Sequence, residues 1–396
     1  MGALDGIKVV DLSRILAGPI CAQILGDHGA EILKVEPPTG DETRSWGPPF
    51  KDGQSAYFTG LNRNKRSIAI DLTHPDGRAL VLRMLEGADV LLENFKAGTM
   101  EKWGLGYHDV LAERFPRLVY CRISGYGADG PLGGLPGYDA VAQAMGGVMD
   151  INGEPDGPPL RLSVPLSDFG AAYNAVQGIL LALFERTRSE RGQFVESTLL
   201  DATLALLHPQ GANYLMSGQR PVRMGSSHPN ISPYDCFPTG AGYIYISCGN
   251  NRQFERLCAE LDVPEVAADP RFATNADRVV HKVELRALLE SRFAAHEAGT
   301  LAERLLARGV PAGAVLGVAD ALAHPQVLHR EMVVERPGYR GLGIPIKLGR
   351  TPGAVGRIPP RFAEHSRELL AEAGLDDRTI DRLIGDGVVL EPGNDG

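Results

Sequence analysis

The sequence predicts an α/β protein, with a doubly wound large domain and a smaller α+β domain held between linkers. Two observations carry this. The first half alternates short apolar runs with amphipathic segments, as βαβ units and a parallel sheet do. Around 208–232, and again near 336–360, the composition turns to Gly, Pro, Arg and other polar residues, as in linkers. With 396 residues, 43% hydrophobic and 22% charged, the chain has room for two or three domains with real cores.

Ile7–Leu12 (IKVVDL) reads as the first buried strand. A helix follows Pro19, with Ile20, Ile24 and Leu25 at helical spacing and Gly29 to close it. Glu31–Val35, Ser67–Leu72, Asp89–Glu93 and Leu118–Ile123 read as further strands, and Pro75–Gly87 as a helix. Short connections and right-handed crossovers make this a Rossmann-like layer. A long helix follows Asp168, with Val176, Ile179, Leu180 and Leu183 on one face. Strand Phe194–Ser197 and a helix from Leu199 to Leu207 complete the first half. The second unit shows strand Tyr243–Cys248 and helices near 251–261, 280–294 and 299–308, and the chain closes with helices near 362–374 and 376–384. The large domain is therefore expected over 1–207, completed by 336–396. The linker is expected at 208–232 and the small domain at 233–335.

Several function classes are disfavoured. The net charge of −9 argues against a nucleic-acid surface. The five cysteines form no CxxC pair and the ten histidines lack ligand spacing, so neither a disulfide framework nor a metal site is expected. No apolar stretch reaches about 18 residues and no signal peptide opens the chain, so we expect no membrane span and a cytoplasmic location. No GxGxxG follows the first strand, where the turn runs Ser13 to Pro19, so the fold does not imply NAD binding.

Four places have a claim to chemistry. Asp168, in PLSDFGAAYN, sits just before a long helix. One reading is an N-cap. The other is a nucleophile kept ionised by the helix N-terminus. Pattern alone leaves both open. Tyr138-Asp139 opens a shorter helix, where capping and packing compete with a site role. Glu93-Asn94-Phe95 ends a parallel strand, where ligands of doubly wound sheets sit, with Lys102 and Trp103 downstream. Asn62–Arg66 is the densest basic run, either an anion contact or a solvated turn.

Ten stretches, in order, resemble the class III CoA-transferase family, which includes formyl-CoA transferase, carnitine-type CoA transferases and alpha-methylacyl-CoA racemase. They are VVDLSRILAGP, GAEILKVEPP with GDETR, YFTGLNRNKRSIAIDL, ADVLLENF, PLSDFG, RGQFVE, ADPRFATNADRV, GVPAGAV, HPQV and AEHSRELLAEAGLDD. The resemblance implies an interlocked homodimer and no tightly bound cofactor, with coenzyme A and its acyl thioesters as substrates. It makes Asp168 the catalytic nucleophile. It places CoA contacts at Leu16 and Ala17, at Ile70, Asp71, Leu72 and Thr73, at Asn94, Phe95 and Lys96, at Lys102, and at Pro136, Gly137, Tyr138 and Asp139. Leu16 stands where formyl-CoA transferase has Gln, Pro37 where it has Arg, and that enzyme's four-glycine loop is missing, so formyl-CoA and oxalate are disfavoured.

Three functions follow as expectations. The first is CoA transfer from an acyl-CoA, such as succinyl-CoA or another small dicarboxylyl-CoA, to a free carboxylic acid through an aspartyl intermediate. Arg14, Arg44, Arg161, Arg223 and Arg252 are candidates to meet a second carboxylate. The second is a racemase. In racemases a His–Asp pair moves the proton alpha to the thioester, and here the His position is Tyr138, a poor base at neutral pH. The third is a non-catalytic acyl-CoA-binding protein.

Overall fold

A computed structural model describes residues 2–393. The chain divides into two compact units: Met1–Gly146 with Leu162–Leu206 and Gln326–Gly396, and Gly147–Arg161 with Leu207–Pro325.

The first unit is built on a seven-stranded sheet. Its strands are β1 (Lys8–Asp11), β2 (Glu31–Glu36), β3 (Lys65–Ile70), β4 (Val90–Glu93), β5 (Val119–Ser124), β6 (Phe194–Thr198) and β7 (Val389–Leu390). The order across the sheet is β7-β3-β2-β1-β4-β5-β6. All pairings are parallel except that of β7 with β3. The sheet order reverses direction between β1 and β4, and such a switch point opens a crevice at the carboxyl ends of those strands.

Alternation along each strand builds two cores. Val9, Ile32, Val90 and Val119 face the helices Ala17–Asp27 and Leu166–Ser189. Val10, Leu33, Ile68 and Leu91 face Pro75–Met84 and the two late helices Ser366–Glu372 and Asp377–Gly385. Leu166–Ser189 meets its core through Ala171, Ala172, Ala175, Val176, Ile179, Ala182 and Leu183. Leu180, expected on that face, is 40% exposed, because a stripe of alanines is what lies close to the sheet.

The basic run is not the solvated turn expected. Arg63 and Asn64 do turn, but the chain runs straight into β3, and Arg63, Lys65 and Arg66 are buried. Arg63 pairs with Asp27 at 2.7 Å and Lys65 with Asp11 at 3.0 Å. Arg66 pairs with Glu31, Glu368 and Glu372. These charges are paired within the fold.

The second unit centres on an antiparallel sheet in the order Ala312–Ala314, Tyr243–Ser247, Tyr234–Pro238. Its core gathers Phe237, Ile244, Ile246, Phe254, Leu289, Phe293 and Leu301. Helix Gln210–Ser217 falls inside the stretch read as a linker, and residues 326–335 group with the first unit. Among the described residues no helix is long and apolar enough to cross a membrane.

Candidate active site

At the switch point the loops after β1 and β4 are tied to each other. The Arg14 backbone N–H donates to the Asn94 side chain at 2.9 Å, and the Asn94 amide donates back to the Arg14 carbonyl at 2.7 Å. Asn94, expected to contact CoA, thus spends both ends of its amide on the neighbouring loop. The next residue, Ile15, sits at φ 72°, an unusual backbone state for a β-branched side chain. Its N–H donates to both oxygens of Asp41 at 3.3 Å. Asp41 is itself buried against Lys34 at 2.9 Å and accepts from Thr43. Burial works to raise the Asp41 pKa, but the Lys34 charge and the Thr43 bonds prevail and hold it at about 2. Strain at Ile15 is therefore held by a locked ion pair beneath it.

A cavity of about 180 Å³ opens above these loops. Leu16 and Ala17 line it from the β1 side, and Asn94, Phe95 and Lys96 from the β4 side. Ser124 and Gly125 line it at the end of β5, and Pro136, Gly137 and Tyr138 line it on the way into helix Asp139–Met145. Gly125 and Gly137 lie back to back: a Cβ on Gly137 would fall 2.7 Å from the Gly125 Cα. Only glycine allows that approach.

Asp168 is in the wall of this cavity. It is not an N-cap: the helix begins at Leu166 with Pro165 as its capping residue, so Asp168 lies within the first turn. Two contacts fix that turn. The Ser167 backbone N–H donates to Asp139 at 2.9 Å, and Thr203 donates to the Ser167 hydroxyl at 2.7 Å. Asp139 also accepts from Gln143 at 2.8 Å, and Gln143 in turn accepts from the Leu162 N–H at 2.9 Å. Asp139 is thus a support for the Asp168 turn, placed behind the wall.

The expectation that Asp168 is simply kept ionised is also corrected. Burial, followed by the like charge of Asp139, pushes its pKa up to about 7. No hydrogen bond or ion pair among the described residues engages its carboxylate. A carboxylate this poorly stabilised is a stronger nucleophile than a solvated one. The charge of Asp168 reaches Tyr57, whose pKa burial first, then Asp168, raises to about 12. Tyr57 was not among the expected site residues.

Over residues 4–366 the sequence matches CoA-transferase family III. The chain belongs to that family. It is 42% identical to a succinate–glutarate CoA-transferase of Agrobacterium fabrum, covering 95% of this chain and 97% of that one. It is 37% identical to the human succinyl-CoA:glutarate CoA-transferase, covering 98% and 90%. Among solved structures, a CAIB/BAIF family protein from Brucella suis superposes with a TM-score of 0.84 at 43% identity, over 94% of this chain and 99% of that one.

Not every expected contact of this CoA-transferase lines the cavity. Ile70, Asp71, Leu72 and Thr73 lie at the end of β3, where Asp71 caps Thr73 at 2.8 Å and its N–H donates to the Val388 carbonyl at 2.9 Å. Lys102, at the end of helix Thr99–Lys102, is outside the wall too. Glu93 is turned inward, accepting from Phe95, Tyr120 and Arg122, so it positions the loop from below. Sequence reasoning missed Ser124 and Gly125. The rule that ligands gather at strand carboxyl ends, applied to β5 as it was to β4, would have found them.

Proposed function

We propose that this CoA-transferase moves CoA from succinyl-CoA, or another small dicarboxylyl-CoA, to a free carboxylic acid, with Asp168 as the covalent carrier. The observation that carries this is the unpaired Asp168 carboxylate in the wall of the switch-point cavity. Ionised Asp168 attacks the thioester carbonyl, forming a mixed anhydride and releasing CoA thiolate. The thiolate attacks the Asp168 carbonyl, giving an aspartyl-CoA thioester and the free donor acid. The acceptor carboxylate attacks that thioester to form a second anhydride, and the thiolate then takes the acceptor acyl group, restoring Asp168. Each step is an easier acyl transfer than direct exchange.

The names of the relatives support dicarboxylates: succinate and glutarate in several, and mesaconate in the Haloarcula enzymes. The acyl end of the thioester is assigned to this cavity of about 180 Å³, whose wall holds Asp168. The nucleotide end is assigned to Ile70–Thr73 and Lys102, outside it, as the family resemblance implies. At Tyr138, where racemases carry His, the side chain is a 59% exposed phenol, which favours transfer over proton shuttling. The assembly we assign is the family's interlocked homodimer. Leu181 and Phe184, 70% and 67% exposed on the Asp168 helix, are apolar surface that such an assembly would cover.

The test is chemical. Incubation with acyl-CoAs and hydroxylamine, followed by mass spectrometry, should give a modified peptide containing Asp168 that is absent in Asp168→Ala. If no acyl-CoA marks that peptide and deuterium instead enters alpha to the thioester, Asp168 is a base and the transfer reading is wrong.

A further inference from the structure

We propose that Arg14 reads the distal carboxylate of the dicarboxylyl group, and that Glu42 is the counter-ion it exchanges to do so. This rests on the reading of Asp168 as the site of acyl transfer.

Of the five arginines that the sequence offered for this role, Arg14 shares a cavity wall with Asp168. Arg44 is committed elsewhere: it pairs with Glu36 at 2.7 Å and stacks on Phe58 at 3.7 Å. Arg161, Arg223 and Arg252 are not in that wall, and Arg223 donates to the Asp150 carbonyl at 3.0 Å.

The Arg14 backbone is rigid and its head is exchangeable, the combination a reader needs. Its N–H and carbonyl are both held by Asn94, and the Ile15 that follows is held by Asp41. The guanidinium is held by Glu42 at 2.8 Å, with side chains 41% and 47% exposed. An ion pair that open is weak and readily replaced. The pairs around it, Lys34–Asp41 and Lys65–Asp11, are fully buried and cannot exchange. A guanidinium carries five N–H donors, so Arg14 can grip a carboxylate bidentately.

The chemistry also requires a cation here. A dicarboxylyl group brings a second negative charge into the cavity of an Asp168 already pushed up by burial and Asp139. Without an offsetting charge, each carboxylate would oppose the other. The titratable groups around Asp168 and its cavity include Asp139, Tyr57, Tyr138, Arg14 and Lys96. Lys96 is the other cation of the wall, carried on the β4 side.

The test measures binding of succinyl-CoA and butyryl-CoA, which differ by a carboxylate against a methyl, in an Asp168→Asn background that leaves the thioester intact. Adding Arg14→Gln should weaken succinyl-CoA roughly 10- to 100-fold, the range for a charged hydrogen bond, and butyryl-CoA less than about threefold. Arg14→Lys should fall between, keeping the charge and losing the fork. Equal weakening of both thioesters would assign Arg14 to the CoA phosphates and overturn the proposal, as would no weakening of either. Failure of the Asp168 reading would show separately, as a missing hydroxylamine-trapped adduct in the unsubstituted protein.

Discussion

The Ser167 backbone N–H donates to Asp139 at 2.9 Å, one residue before the proposed nucleophile. One carboxylate therefore holds the turn in place while its charge makes the neighbouring carboxylate harder to ionise. Asp139→Asn keeps an acceptor for Ser167 and removes the charge. The rate of adduct formation should rise with pH through about 7 in the unsubstituted enzyme and at lower pH in the variant. At about pH 6 the variant then holds more ionised Asp168, while its alkaline plateau falls because a less basic carboxylate attacks more slowly. A profile of unchanged midpoint would show that Asp139 acts by support alone.

Asp168 should cost stability. Its folded pKa of about 7 lies above the unfolded value, so the unfolded chain binds fewer protons between the two. Stability therefore falls as pH rises across roughly 4 to 7. Asp168→Asn should match the unsubstituted protein near about pH 4 and be more stable above about pH 7, by on the order of 1–3 kcal/mol. Urea melts at the two pH values measure this directly, and an equal gain at both would point to packing.

Asp41 works in the opposite direction. Its folded pKa of about 2 lies below the unfolded value, so its contribution is present above the unfolded value and is lost as pH falls through about 2. Asp41→Asn removes the ion pair of the buried Lys34 ammonium and leaves it the charges of Asp11 and Glu36 alone. A loss of about 3–5 kcal/mol is expected, read as a lower urea midpoint.

Asn94→Ala removes both bonds between the β1 and β4 loops. A stability loss of about 1–3 kcal/mol should come with a higher KM for every acyl-CoA. Gly137→Ala should also raise KM across the panel, because its new methyl meets the Gly125 backbone. If either variant impaired one acyl group and spared the others, Asn94 or Gly137 would be reading the acyl chain instead of shaping the loops.

The parallel strands were legible because each is a short apolar run between breakers, and β1 through β6 appear within about two residues of their expected ends. Strand β7 was not, since two residues carry no periodicity. The run Asn62–Arg66 misled because a basic cluster says nothing about carboxylates at positions as distant as Glu372. Asp168 was singled out in the sequence and lines the cavity, yet its environment was not legible: the raised pKa comes from burial and from Asp139, both brought about by folding and invisible as spacing. Glu93 was placed correctly at a strand end, but which way a side chain turns there depends on Tyr120 and Arg122 across the sheet.

Strand β7 pairs Val389 with Ile70 and Leu390 with Ala69, closing the open flank of β3. A ribosome finishes β1 to β6 long before it reaches that pair. In the interval the nascent chain presents β3 with bare N–H and C=O groups, a template for any neighbouring polypeptide. Shielding of the unfinished sheet by a chaperone would matter most in that window. A truncation or fusion that keeps Val389 and Leu390 from docking should lower soluble yield, even with every residue of the active site unchanged.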